Sequence, residues 1–413
     1  MSTRCTSRLV VAALVLCLGA LTLVACADDE PSAPPDGPGV AEALQGITRT
    51  LDRRAAALRA ADEGAFLRTV ADEPGLSGEQ TTYFDNVSEL PVAELSYRVR
   101  RETLARDGGA YWAEVTASLR LEGYDDAPVT TEDRWRFTPT SSGAFVLAST
   151  TDATWEADRL LHPQPWDVAP VEVRQRLGVL GVFDAGSVTH AGTVLGAVDD
   201  ARYDVASVLG DVEVPDVVVY VLSDPRLAAT VTGSGVGEDL DAATIAVPAD
   251  PTQPTGAVAS YRVVLDLRVV TQSRDVLDRL VRHELTHVAL GDRGAGAPLW
   301  LTEGVAEYVS VRPMPPSERR LPAAALDLVA SEVPSLPPDE VYAGPDAEAW
   351  YAVGWWVCEF VAATYGDDML WLLLDELDDG ADPEDVLPAM LGLTPTQLAQ
   401  RGAGLMRRTY RAG

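Results

Sequence analysis

His283-Glu284-Leu285-Thr286-His287 sets two imidazoles and a carboxylate within one short run. On a helix, residues four apart share a face, so both rings can grip one metal ion. Glu284 then lies beside the ion, placed to take a proton from a bound water. That is the working geometry of zinc-dependent hydrolysis, and it uses two of the chain's four histidines. The flanking residues predict the helix. Ser273 is placed to cap its start, and Asp275 favours the positive N-terminal end. Val276, Leu280, Leu285 and Val288 supply apolar positions near a 3.6-residue period, and Gly291 is a natural stop.

Catalytic zinc usually has three protein ligands and one water. One solution, that of the metzincins, puts a Gly and a third His at fixed offsets downstream; Leu290 and Arg293 stand there instead. The other takes a Glu from a second helix. PLWLTEGVAEYVS (298–310) offers it: Pro298 opens the helix, and Glu303 and Glu307 are one turn apart on one face.

HELTHVAL followed by LWLTEGVAEY resembles the gluzincin zinc metallopeptidases, most closely their peptidase MA-like branch, over roughly residues 171–413. The resemblance implies one Zn2+ per chain, with His283, His287 and Glu303 as ligands. Glu307 is then the carboxylate that holds a ligating histidine through its free ring nitrogen. Glu284 is the general base, and a peptide or protein is the substrate. Related enzymes draw an oxyanion donor from the C-terminal helical part, where Tyr351 in AWYAVGWW is the first candidate; it also reads as a core tyrosine. His190 reads as a turn or loop residue and His162 as part of a linker. The chain departs from the large aminopeptidases of that clan in two respects. Fifteen residues separate His287 from Glu303, so GDRGAGAP is a tight loop. There is also no Gly-x-Met-Glu-Asn segment to hold a free amino terminus, so exopeptidase specificity has no support.

The start of the chain reads as a secretion signal. Arg4 and Arg8 precede the apolar run LVVAALVLCLGALTLVA, and Leu23-Val24-Ala25-Cys26 resembles a bacterial lipobox. The resemblance implies cleavage before Cys26 and a diacylglycerol on its thiol. The mature protein is then anchored to the membrane on its extracytoplasmic face without spanning it. Cys5 and Cys17 leave with the signal, so Cys358 alone remains and no internal disulfide can form. The net charge of −31 argues against a nucleic-acid partner, whose phosphates would be repelled. Every basic residue is Arg.

The elements that must position these residues divide as follows. Residues 1–25 are the signal, and 26–39 are the lipidated Cys and a Pro- and Gly-rich disordered tether. Residues 40–155 read as an α+β accessory domain. In it a helix around 41–62 precedes alternating segments at 93–105, 111–123, 131–140 and 144–150, a pattern able to form a cone around a pocket, vaguely as in cystatin-like folds. A linker follows at 156–170, with its Pro-rich break at 162–170. Residues 171–413 then read as the gluzincin-like domain: a small mixed sheet, the HExxH helix, and a mostly helical C-terminal part. The fold class is therefore α+β. In the resembled family the strand before the HExxH helix forms one cleft wall, and 261–270 is the candidate, though it reads equally as a central core strand. The stretch around Trp355 is interrupted by Glu359 and reads as a core helix.

The functional expectation is a membrane-anchored extracytoplasmic zinc metallopeptidase that hydrolyses peptide bonds by a zinc-activated water. The alternative is a catalytically inactive or zinc-structural envelope lipoprotein acting as a binding module.

Overall fold

Alternating residues in the first third of the chain form an antiparallel sheet. Its strands are β1 (Val92–Val99), β2 (Ala105–Asp107), β3 (Ala110–Leu121), β4 (Val129–Pro139) and β5 (Phe145–Ser149), ordered β1-β3-β4-β5 with β2 paired to β3. The helix Val40–Arg59 packs on β1 and β5, sending Ile47 and Leu51 into a core with Phe137 and Phe145. Gly46 allows the close approach, because a Cβ there would lie 2.5 Å from the Phe145 ring. Thr50 Oγ1 donates to the Phe145 carbonyl at 2.7 Å and fixes the pair. A further helix, Pro74–Glu89, buries Leu76, Phe84 and Val87 on one face together with the polar Gln80 and Asn86.

The computed structural model describes residues 38–159, 161, 163–210, 212–232, 241–253, 256–330, 333 and 335–411. The expected signal, Cys26, nearly all of the tether and His162 lie outside them. Residues 39–413 group as one compact α+β unit.

The second sheet is mixed. Its strands are β6 (Glu172–Arg176), β7 (Val179–Phe183), β8 (Val217–Val221), β9 (Ala242–Pro248) and β10 (Val258–Leu265), in the order β6-β7-β8-β10-β9. The β6–β7 and β10–β9 pairs are antiparallel, and β7–β8 and β8–β10 are parallel. Every residue of β7 and β8 is buried, as expected for strands covered on both faces. Side chains alternate between two cores. Val179, Val217, Val219, Val263 and Leu265 face the helices of the C-terminal part. Leu180, Val182, Val218, Tyr220 and Val264 face the N-terminal helices and sheet.

Two expectations change here. β10, which covers the first half of the candidate cleft strand 261–270, is interior, and Leu267–Val270 is a short helix. Among the described residues the outer strand beside the HExxH helix is β9, because a hairpin-like return sets it on the far side of β10. The 156–170 segment is also partly built into the core. Trp166 is 2% exposed, and buried Asn86 donates to the Trp166 and Ala169 carbonyls at 2.8 Å each and accepts from Val171 N at 3.0 Å.

Arg262 of β10 ties the two sheets together. It is 1% exposed and donates to Asp125 at 3.0 Å, Tyr220 at 2.6 Å and Gln164 at 2.8 Å. Asp125 is fully enclosed and also accepts from Leu121 N at 2.8 Å.

The C-terminal part is helical. The motif helix Arg274–Leu290 is followed by the glutamate helix Leu299–Val311, the aromatic helix Ala347–Tyr365, and helices Asp368–Asp378, Pro383–Leu391 and Pro395–Arg411. Among the described residues no helix is long and apolar enough to cross a membrane. Cys358 is a buried free thiol of the aromatic helix.

Asp125→Ala would strand the buried Arg262 charge. The expected loss is about 3–5 kcal/mol of stability, measured by urea unfolding. A loss below about 1 kcal/mol would show that this pair does not hold the sheets together.

Candidate metal centre

The motif helix buries Leu277, Val281, Leu285 and Val288, a face at i, i+4, i+8 and i+11. The expected position Val276 instead faces solvent, 44% exposed, because the true stripe starts one residue later. Ser273 occupies the N-cap position but makes no side-chain cap hydrogen bond; its carbonyl accepts from Val276 and Leu277 N. Gly291 ends the helix at φ +55°, a left-handed conformation that favours glycine. Arg282, buried in mid-helix, donates to the Ser310 carbonyl at 2.7 Å and to Asp204 at 3.2 Å, locking this helix to the glutamate helix and to the helix Ala191–Leu209.

Two glycines set how closely the glutamate helix approaches the aromatic helix behind it. A Cβ on Gly304 would lie 2.7 Å from the Gly354 carbonyl and 2.8 Å from Cys358 Sγ. The start of the glutamate helix is held by Asp339, which accepts from Leu299 N at 2.9 Å. The GDRGAGAP turn docks on the helix Asp368–Asp378: Arg293 pairs with Asp375 at 2.5 Å, and Gly296 N donates to Asp378 at 2.7 Å.

This packing brings His283, His287 and Glu303 together. His283 Nε2 lies 3.2 Å from His287 Nε2 and 3.2 Å from Glu303 Oε2, and His287 Nε2 lies 3.4 Å from the same oxygen. A tetrahedral zinc ion with bonds of about 2.0–2.1 Å separates its ligand atoms by about 3.3–3.4 Å. The triangle therefore fits such an ion without rearrangement. Among the described residues this is the cluster of His, Cys, Asp and Glu side chains able to hold a metal.

Behind the triangle, Glu307 Oε1 lies 3.4 Å from His283 Nδ1, an ion-pair distance without good hydrogen-bond alignment, so the buried Nδ1 has no formed hydrogen bond. Arg279 Nη2 donates to Glu307 Oε2 at 2.6 Å. Burial opposes charge on Glu307, but His283 and Arg279 outweigh it and bring its carboxyl down to about 2. Burial likewise opposes charge on Glu303, yet His287 and His283 hold its carboxyl well below the usual range. For His283, burial works against the imidazolium, while Glu303 and Glu307 raise its pKa well above the ordinary value.

Glu284 is 5% exposed. Its Oε2 accepts from Thr244 Oγ1 at 2.8 Å, and the same hydroxyl lies 2.9 Å from the Glu284 carbonyl. Thr244 sits on β9 opposite Val263, on the sheet face that meets the helices. The Tyr351 ring meets the His283 ring edge-on, with centroids 6.1 Å apart. Burial first, then the nearby carboxylates Glu303, Glu284 and Glu307, raise the Tyr351 pKa, so its phenol keeps its proton. Tyr342 backs Tyr351 at 5.1 Å between centroids, and its own hydroxyl is buried without a partner. His190 ends a short 3-10 turn away from this cluster.

Sequence reasoning did not find Thr244, Arg279 or Tyr342. Arg279 had a local signal, lying four residues before His283 on the same helix face. Thr244 and Tyr342 come from distant segments and had none.

No family profile matches the chain, and no curated protein matches it. Among solved structures, an M1 zinc metallopeptidase from Deinococcus radiodurans is similar at 18% identity, over 75% of this chain and 70% of that one, with a TM-score of 0.33. A likeness at that level carries no argument about fold or activity.

Ligating histidines must be neutral, so the raised His283 pKa makes protons compete with the metal. Zinc affinity, followed by competition with a chromophoric chelator, is expected to rise with pH from about 6.5 upward and to be accompanied by proton release. Elemental analysis should give about one zinc per chain, lost or greatly weakened in folded Glu303→Ala. Zinc retained by that variant would remove Glu303 from the ligand set.

Proposed function

We propose that this chain is a zinc-dependent peptidase, with His283, His287 and Glu303 as metal ligands and Glu284 as general base. The observation that carries the reading is the ligand triangle, 3.2, 3.2 and 3.4 Å on its sides, with the Glu284 carboxylate one residue along the same helix. A bound zinc ion supplies Lewis acidity, polarising a substrate carbonyl and lowering the pKa of water.

The protein groups have separate tasks in this reading. Glu284 accepts a proton from the attacking water at a carboxylate oxygen and passes it to the leaving amine. The Thr244 hydroxyl, 2.8 Å from Glu284 Oε2, holds that carboxylate in one orientation. Glu307, fixed by Arg279, lies 3.4 Å from His283 Nδ1, and its negative charge favours the proton on that nitrogen, which leaves Nε2 free to ligate. Tyr351, with its proton retained, is the candidate donor to a developing oxyanion. β9 is the strand whose main chain an extended peptide would pair with, since it carries Thr244 and stands at the sheet edge. The lipobox-like Leu23-Val24-Ala25-Cys26 supports a lipid-anchored location on the extracytoplasmic face.

Glu284→Gln is the decisive variant. On a peptide library, cleavage is expected to fall by about 10²–10⁴-fold while zinc content stays unchanged. Zinc chelation should abolish wild-type cleavage, and added zinc should restore it. Undiminished cleavage by the zinc-loaded Gln variant would overturn the assignment of the base. Undiminished cleavage in zinc-free protein would overturn the metal mechanism.

Thr244→Val removes the hydroxyl that orients Glu284 without touching the ligand triangle. Its kcat should fall by about tenfold, the effect of one lost hydrogen bond of about 1.4 kcal/mol, with zinc content unchanged. An unchanged kcat would show that Glu284 needs no such support.

A further inference from the structure

The N-terminal sheet and helices enclose a cavity of about 580 Å³, within the size range of small-molecule sites. None of the candidate zinc ligands lines it. We propose that this cavity binds a small organic carboxylate with an aromatic or apolar body, and that Arg54 is its counter-ion.

Arg54 lies on the helix Val40–Arg59, lines the cavity and is 2% exposed. Its Nη2 donates to the Gln80 side-chain oxygen. Its Nε and Nη1 are buried with no hydrogen-bond partner. Those two nitrogens hold more than half of the guanidinium's donor capacity.

Aromatic rings surround the same group. The Arg54 Cζ lies 4.0 Å from the ring centre of Phe66, 5.3 Å from Tyr83, 5.6 Å from Trp135 and 5.8 Å from Tyr97. Cation–π contact acts on the faces of a guanidinium, whereas its N–H bonds lie in its plane. The cage therefore covers Arg54 without satisfying its edge, and a carboxylate arriving in the plane would complete it.

The other buried arginines provide the comparison. Arg262 has Asp125 at 3.0 Å, and Arg282 has Asp204 at 3.2 Å. Among the described residues no carboxylate stands at ion-pair distance from Arg54. A buried cation without a counter-ion is costly, so an anion brought by a ligand has a large electrostatic gain available.

Five acids also line the cavity: Glu79, Glu132, Asp133, Glu156 and Asp167. Glu79 is exposed to solvent, Glu132 lies 3.7 Å from Arg100, and the other three accept backbone or side-chain hydrogen bonds. Asp133 accepts from Arg134 N at 2.6 Å and Trp135 Nε1 at 3.0 Å, Asp167 from Gln164 N at 2.8 Å, and Glu156 from Asp152 N at 2.6 Å. Burial raises Asp133 to about 6 and Asp167 to about 7, which reduces their repulsion of an anion. Val115, Ala117 and Trp166 supply apolar wall for the ligand's body.

The test is calorimetric titration of the full chain with benzoate, benzamide, benzylamine and inorganic phosphate. Benzoate is expected to bind saturably with a Kd of about 1 mM or tighter, and benzamide at least about tenfold more weakly. Arg54→Met should abolish the benzoate signal. The wild-type comparison of benzoate with benzamide does not depend on that variant folding. Zinc removal should leave benzoate binding unchanged, which separates this site from the peptidase reading. The proposal is overturned by absent benzoate binding, by equal binding of benzamide or benzylamine, by phosphate binding as tightly as benzoate, or by full binding to folded Arg54→Met.

Discussion

Glu303 meets both imidazoles because the helix that carries it presses closely against a helix behind it. Gly304 and Gly354 are the contact: a Cβ on Gly304 would lie 2.7 Å from a backbone carbonyl, closer than real Cβ atoms come, and one on Gly354 would crowd another at 3.0 Å. The turn from Gly291 to Ala297 is pinned to a third helix by Arg293–Asp375 and by Gly296 N to Asp378. Arg282 clamps the other side. With these contacts in place, the carboxylate has little freedom to lie anywhere but between the two rings.

The cluster is an electrostatic chain running inward from its rim. Arg279 stabilises Glu307, Glu307 faces His283, and His283 faces Glu303. Burial raises the pKa of Glu303 and Glu307, and their cationic partners outweigh it. Glu284 stands apart from the chain and takes its hydrogen bond from a neutral hydroxyl on a strand. The proposed general base is thus held by a partner that adds no charge.

The second sheet joins the two halves of the molecule. Its strands send alternate side chains to opposite cores, one with the helices that carry His283, His287 and Glu303 and one with the N-terminal sheet. Arg262 is satisfied on the N-terminal side of that sheet by Asp125, from the turn between β3 and β4 of the first sheet. Arg54, beside the same core, is enclosed by rings instead. The contrast separates an arginine that holds the fold from one left with unused donors beside a cavity.

The HExxH helix, the glutamate helix, the four alternating N-terminal segments and the long C-terminal helices were all legible in the sequence. Each rests on local rules: an i, i+4 face, a proline start, a glycine stop, a period of two. The helix pattern offered Glu303 and Glu307 together on one face, and the choice of Glu303 as ligand and Glu307 as its support came from the resemblance to the gluzincins. The stripe of the motif helix was displaced at Val276, since adjacent apolar residues leave the phase open until a neighbour packs on it. Helix Pro74–Glu89 was not among the expected elements; its buried face includes the polar Gln80 and Asn86, which weakens the apolar period. Strand order was not legible either. Whether 261–270 lay at an edge or in the interior depended on where β9 returned, a choice made by main-chain pairing between segments that share no pattern. Thr244 beside Glu284, Tyr342 behind Tyr351, and an arginine caged without a carboxylate are likewise meetings of distant segments. The sequence by itself determined which groups could bind metal and move a proton. Tertiary packing alone decided the distances between them and what surrounds Arg54, because close approach, register and burial belong to pairs of elements and to no single one.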